Sequence, residues 1–175
     1  MSERIALIRA VNVGGAKLPM ADLRRIAVDL GARDVSTYIA SGNLLYTPPG
    51  DFTEFDAELE RAITAEFGYE REVISRTPDE LAEALRVHPF EVINPKFSYV
   101  YALQGAPPET AAEALAERAA KTEHLAVIGS DLHIRYDEGA ANSKLTPTVI
   151  KRLLGYHGTG RNLNTVAKLI ELARA

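Results

Sequence analysis

The residues best suited to chemistry are cations and small polar side chains gathered in short loops. Asn12, Gly14, Gly15 and Lys17 stand in "RAVNVGGAKLPM", between an apolar run and a proline. Paired glycines reach positive φ at low cost and let backbone N–H groups approach an anion, while a helix beginning just beyond adds partial positive charge. The spacing is neither G-x-x-x-x-G-K-[ST] nor G-x-G-x-x-G, so no nucleotide fingerprint is present, and a plain turn remains the alternative reading. Arg9 falls in register with Ile5 and Leu7 at the end of the apolar run, where a half-buried guanidinium needs a carboxylate or an anionic ligand. Asn142, Ser143 and Lys144, and further on Arg161 and Asn162 in "TGRN", set amide or hydroxyl side chains beside a cation ahead of a helix. They read as N-caps or as anion sites at helix termini.

Charge placement sharpens this set. The 175-residue chain has a net charge of −4. The stretch from Gly139 to Ile170 contains no Asp or Glu but holds Lys144, Lys151, Arg152, Arg161 and Lys168; without those five the remainder carries −9. Arg4 to Ala21 is also free of acids. Two basic segments in an acidic protein form an anion trap if they meet. Other chemistries find less support. His88, His124, His133 and His157 show no metal-ligand spacing, so no metal site is expected. No G-x-S-x-G elbow appears, and "GYHGTG" follows a helix, unlike a dinucleotide fingerprint. Catalytic residues stay unassigned, enzymatic activity stays open, and no cofactor is implied. The absence of cysteine removes disulfides, zinc-thiolate sites and thiol nucleophiles, and no apolar run is long enough to span a bilayer. With no basic n-region and long apolar run at its start, the chain is expected to be cytoplasmic.

The elements that must position these residues follow from periodicity. "RIALIRAV" reads as a strand buried on both faces, Pro19 opens a helix closed by Gly31, and "DVSTYIA" with "NLLYT" forms a hairpin. Thr53 and Asp56 resemble a capping box for a helix ended by Gly68, and "EREVISR" is a strand. Residues 4 to 76 therefore spell β-α-β-β-α-β, the ferredoxin-like order. Thr77, Pro78 and Glu80 start a helix to about Val87, and "VHPFEVINPK" is a linker. A second series follows: strand Phe97 to Leu103, a helix from Pro107 to about Lys121, the hairpin "HLAVI" and "LHIRY", a helix from Thr146 to Gly155, and a last helix from about Asn162 to Arg174. The expected fold is α+β, with two ferredoxin-like halves from an internal duplication packed together. Residues 1–76 form the first half, 77–96 the linker helix and loop, and 97–175 the second half with its C-terminal helix.

The stretches "IALIRAVNVGGAKLPMADLR", "VSTYIASGNLLY", "SKLTPTVIKRLLG" and "TGRNLNTVAKL" resemble the bacterial family known as domain of unknown function 1697. The resemblance implies a pair of ferredoxin-like halves and no established activity, so it brings no catalytic residues. Ala10 stands where the family usually has glycine, and Leu163 where it usually has tryptophan. The second departure removes the largest aromatic near the candidate site.

The leading expectation is recognition of a small anionic ligand, a nucleotide or phosphorylated metabolite, in a basic cleft between the halves. Phe97, Tyr99 and Tyr101 alternate on one strand as base-stacking aromatics do, but the acidic chain and the missing RNA-recognition motif argue against nucleic acid. A nucleic-acid module and a structural domain that forms a homodimer remain the alternatives.

Overall fold

The computed structural model describes residues 3–175, and the first two positions of the expected first half lie outside them. Strand β1 (Arg4–Ile8) is buried at every position, which is why its sequence is apolar on both faces. It pairs antiparallel with β3 (Asn43–Thr47) on one side and β4 (Val73–Arg76) on the other, and β2 (Arg33–Thr37) adds to β3. Helices α1 (Met20–Asp29) and α2 (Phe52–Phe67) carry Leu23, Ile26, Ala27, Phe55, Leu59 and Ile63 into one core with Ala6, Ile8, Leu44 and Tyr46.

After α3 (Pro78–Val87) comes β5 (Ser98–Leu103), which pairs with β7 (Asp131–Tyr136) and β8 (Gly158–Asn162); β6 (Glu123–Ile128) pairs with β7. Helices α4 (Glu109–Ala116) and α5 (Pro147–Leu154) contribute Leu115, Ile150 and Leu154 to a core with Leu103, Leu132, Ile134 and Tyr136; α6 (Leu163–Ala173) ends the chain. The described residues thus form a mixed α+β structure with two four-stranded antiparallel sheets, ordered β2-β3-β1-β4 and β6-β7-β5-β8, and six helices. The chain divides into two compact units, Met1–Leu81 with Leu169–Ala175, and Ala82–Lys168.

Several local expectations need correction. A strand, β8, precedes the last helix where only loop and helix were expected. Its Gly158 and Gly160 are there for space: a Cβ on Gly160 would lie 2.5 Å from the Tyr101 ring, and one on Gly158 would lie 2.7 Å from Leu103. Glycine in a strand that lets a neighbour's side chain lie across it carries no β-propensity signal. Helix α2 is capped by Asp51, whose Oδ1 accepts from the Glu54 amide at 3.1 Å, and not by Thr53. Helix α4 stops at Ala116, short of Lys121, while β2 ends at Thr37 and β4 begins only at Val73. The box at α3 is formed as expected, with Thr77 and Glu80 exchanging backbone-to-side-chain bonds of 2.8 and 3.1 Å.

Candidate functional site

In the first unit the turn after β1 is built around one side chain. Asn12 Nδ2 donates to the carbonyls of Leu18 at 2.9 Å and Ala40 at 2.5 Å, and its Oδ1 accepts from the Leu18 amide at 2.9 Å. A single amide group thereby fixes both ends of the loop and ties it to the β2–β3 turn. The backbone is bent hard here: φ is 54° at Ala10, 57° at Asn12, 58° at Gly14, 87° at Gly15 and 50° at Ile39. For a β-branched residue such as Ile39 that conformation costs energy, and such outliers gather at functional sites. The amides of Val13, Gly14 and Gly15 donate to no group among the described residues, whereas those of Asn12, Ala16 and Lys17 bond within the loop. No side chain caps the start of α1 at Pro19. A hollow of about 390 Å³ opens beside Asn12, Gly15, Lys17, Leu18, Pro19, Met20 and Ala40.

Lys17 is exposed, and its carbonyl accepts from the Tyr69 hydroxyl at 2.7 Å. Tyr69 in turn stands under the Arg71 guanidinium, 5.0 Å from ring centroid to Cζ, and Arg71 Nε donates to the Ala10 carbonyl at 3.1 Å. Burial raises the Tyr69 phenol above its ordinary pKa, and the Arg71 charge opposes that shift. Arg71 bonds only to backbone carbonyls and pairs with no carboxylate among the described residues. Sequence reasoning missed it, because in "YEREV" it stands between two glutamates and reads as a neutralised strand residue. Arg9, by contrast, has its carboxylate: Nε sits 2.6 Å from Glu72 Oε1.

In the second unit Asn142, Ser143 and Lys144 line a hollow of about 340 Å³ with Arg118, Thr122, Glu123 and Glu138. Ser143 donates to the buried Glu123 carboxylate and accepts from the Leu145 amide at 3.0 Å, so it braces the loop. The N-cap of α5 is Thr146, not this triplet. Arg118, Asn142 and Lys144 make no side-chain hydrogen bond or ion pair among the described residues. Arg161 lies on β8 at only 8% exposure, donating to Thr159 Oγ1 at 2.6 Å and the Gly160 carbonyl at 2.9 Å, and desolvation pulls its pKa down to about 10. Asn162 Oδ1 accepts from the Thr165 amide at 2.9 Å, a cap at the start of α6. Tyr99 and Tyr101 pack into the helix-covered core with Tyr136, the two hydroxyls of Tyr101 and Tyr136 3.0 Å apart.

Two further polar clusters carried no sequence signal. Tyr46 and Ser75 both donate to the buried Asp56 carboxylate, Ser75 at 2.5 Å, and Arg4 donates to Ser75 Oγ at 3.0 and 3.1 Å. Desolvation raises the Asp56 pKa despite those donors. His88 and His133 meet Nδ1 to Nδ1 at 2.9 Å, each with a buried Nε2 that has no partner. Burial drives the His133 pKa down to about 4 and lowers that of His88. No group of three or more potential metal ligands occurs among the described residues, and no helix there is long and apolar enough to cross a membrane.

Fold and site together define a two-sheet α+β protein whose β1–α1 loop carries an exposed lysine and three unpaired amides and whose β7–α5 loop carries a second exposed lysine. A family model described as protein of unknown function (DUF1697) matches residues 1–133, and the chain belongs to that family. Two of the four stretches that carry the resemblance, "SKLTPTVIKRLLG" and "TGRNLNTVAKL", lie beyond the matched span. A solved structure of a conserved bacterial protein from Streptococcus pneumoniae is similar in fold, with a TM-score of 0.72 and 22% identity, covering 100% of this chain and 99% of that one. No curated protein matches the sequence.

Proposed function

We propose that the protein binds a small anionic ligand, of the nucleotide or phosphorylated-metabolite class, and that the loop from Asn12 to Lys17 receives its charge. The observation that carries this reading is the run of three amides, Val13, Gly14 and Gly15, left without acceptors in a loop that Asn12 clamps in place. Alternation of φ sign through Asn12, Val13 and Gly14 is the kind that turns successive N–H groups toward one point, the geometry of an anion nest. Lys17 and Arg71 supply full positive charge beside it. In the second unit, Asn142 and Lys144 are the proposed contacts, with Arg118 joining them. Arg9, Ser143, Arg161 and Asn162 already hold protein partners and enter the reading as supports of the loops and strand that carry them. The recurring strand order also supports our inference that the units are ferredoxin-like halves of one duplication.

The test is thermal denaturation against a panel of inorganic phosphate, nucleotides and carboxylates. At least one member raises the Tm of the wild-type protein, and the Lys17→Ala/Arg71→Ala double variant loses most of that rise. A wild-type Tm that no member moves overturns the reading.

A further inference from the structure

The two sheets treat their exposed edges differently. In the first unit, edge strand β2 carries Arg33 and Asp34 and shifts register between Arg33 and Ser36, with Asp34 at φ 51°. Charges and a bulge of this kind are how an edge avoids pairing with another chain. Edge strand β6 in the second unit has neither protection at its centre. Its six residues pair with β7 in unbroken register, and Leu125, Ala126, Val127 and Ile128 are all apolar.

The register also fixes which backbone groups β6 leaves open. The Asp137 amide bonds to the Thr122 carbonyl, and the Tyr136 amide bonds across to Phe97. Even-numbered residues of β6 therefore exchange bonds with β7, while Leu125 and Val127 point their N–H and C=O groups outward. No partner for them occurs among the described residues.

We infer that β6 is the seam of a homodimer, in which two copies of the chain pair β6 with β6 antiparallel about a two-fold axis at Ala126. The strand is complementary to itself in this register. Leu125 faces Val127 of the second copy twice over, which satisfies the four outward backbone groups of Leu125 and Val127 on each strand in four hydrogen bonds and joins the half-buried Leu125 and Val127 side chains. Ala126, the smallest residue of the strand, falls at the axis, where directly opposed residues without mutual hydrogen bonds approach most closely. On the same face Ile128, which is 39% exposed, lies against His124 of the second copy. No like charges oppose each other along the paired segment. The occupant is a second copy and not an unrelated extended peptide because Leu125, Ala126 and Val127 all find their complements in the same short segment about one axis.

The experiment combines light scattering with cross-linking. The wild-type protein dimerises as its concentration rises from low to high micromolar. Val127→Pro, which removes an outward donor and leaves every bond to β7, returns it to monomer. Ala126→Cys introduces the chain's sole cysteine. Across the axis its Cα atoms lie roughly 4.5 Å apart, within disulfide range, so oxidation yields a covalent dimer, whereas Ser36→Cys on β2 yields none. A wild-type protein that stays monomeric overturns the inference, even if it binds an added extended peptide along β6. So does a dimer that survives Val127→Pro and fails to cross-link through position 126.

Discussion

Asn12 performs in one side chain what a longer loop would need several to do. Its three bonds hold Leu18 and Ala40 together, and truncation leaves backbone groups of both unsatisfied. Asn12→Ala is expected to destabilise the fold by about 2 kcal/mol, read as a lower urea midpoint, and to weaken anion binding by loosening the amides it positions. Gly160→Ala tests a different constraint. Its new Cβ would stand 2.5 Å from Tyr101, so the ring or the strand must shift, at a cost of about 1–3 kcal/mol in urea denaturation. Both residues are invisible to hydrophobic patterning, since neither contributes apolar area. Arg161 illustrates the converse: read from sequence as one basic residue of an acid-free stretch, it is a nearly buried strand residue bonded to its own strand.

Most elements were legible where a periodic pattern met a strong terminal signal. Helix α3 has Thr77, Pro78 and Glu80 in order, and Thr77→Ala is expected to cost about 1 kcal/mol of stability by thermal or urea denaturation. The α5 start at Thr146 and Pro147 was equally clear, as were β1, β3 and the β6–β7 hairpin. What the sequence did not disclose depends on contacts between distant segments. β8 exists because Tyr101 and Leu103 need the room its glycines leave, Asp56 turned inward because Tyr46 and Ser75 await it, and Arg71 reaches Ala10 only once the fold has formed. The candidate site was half legible in the same way: the diglycine turn was visible and the clamp and the second cation were not. The linker shows a consequence for pH. His88, half-buried, and His133, fully buried, share one hydrogen bond in a setting that favours their neutral forms, with Arg135 lowering the His88 pKa further and Phe90 packed edge-on against the His88 ring. The unfolded chain takes up protons at these positions near pH 6.5, while His133 in the fold resists them until about pH 4. The stability they supply is therefore full above pH 6.5 and lost as pH falls toward 4, by about 3 kcal/mol for His133. The urea midpoint should drop across that interval, and His133→Leu should flatten the drop.

At the scale of the whole chain, charge separates the functional readings. A net charge of −4 gives no general attraction to polyanions, so binding must come from local groups. Each unit offers such a place, and in the first unit it combines full charges, unpaired amides and a strained, clamped backbone. Binding there should weaken only modestly with added salt, because few phosphates are engaged; a nucleic-acid module would lose affinity steeply. The most direct measurement follows the backbone amides by NMR while inorganic phosphate and then adenosine monophosphate are added. Saturable shifts largest at Val13, Gly14 and Gly15, abolished by the Lys17→Ala/Arg71→Ala pair, are the predicted result. Absence of shifts at those three amides, or saturable shifts confined to residues remote from both loops, would contradict it.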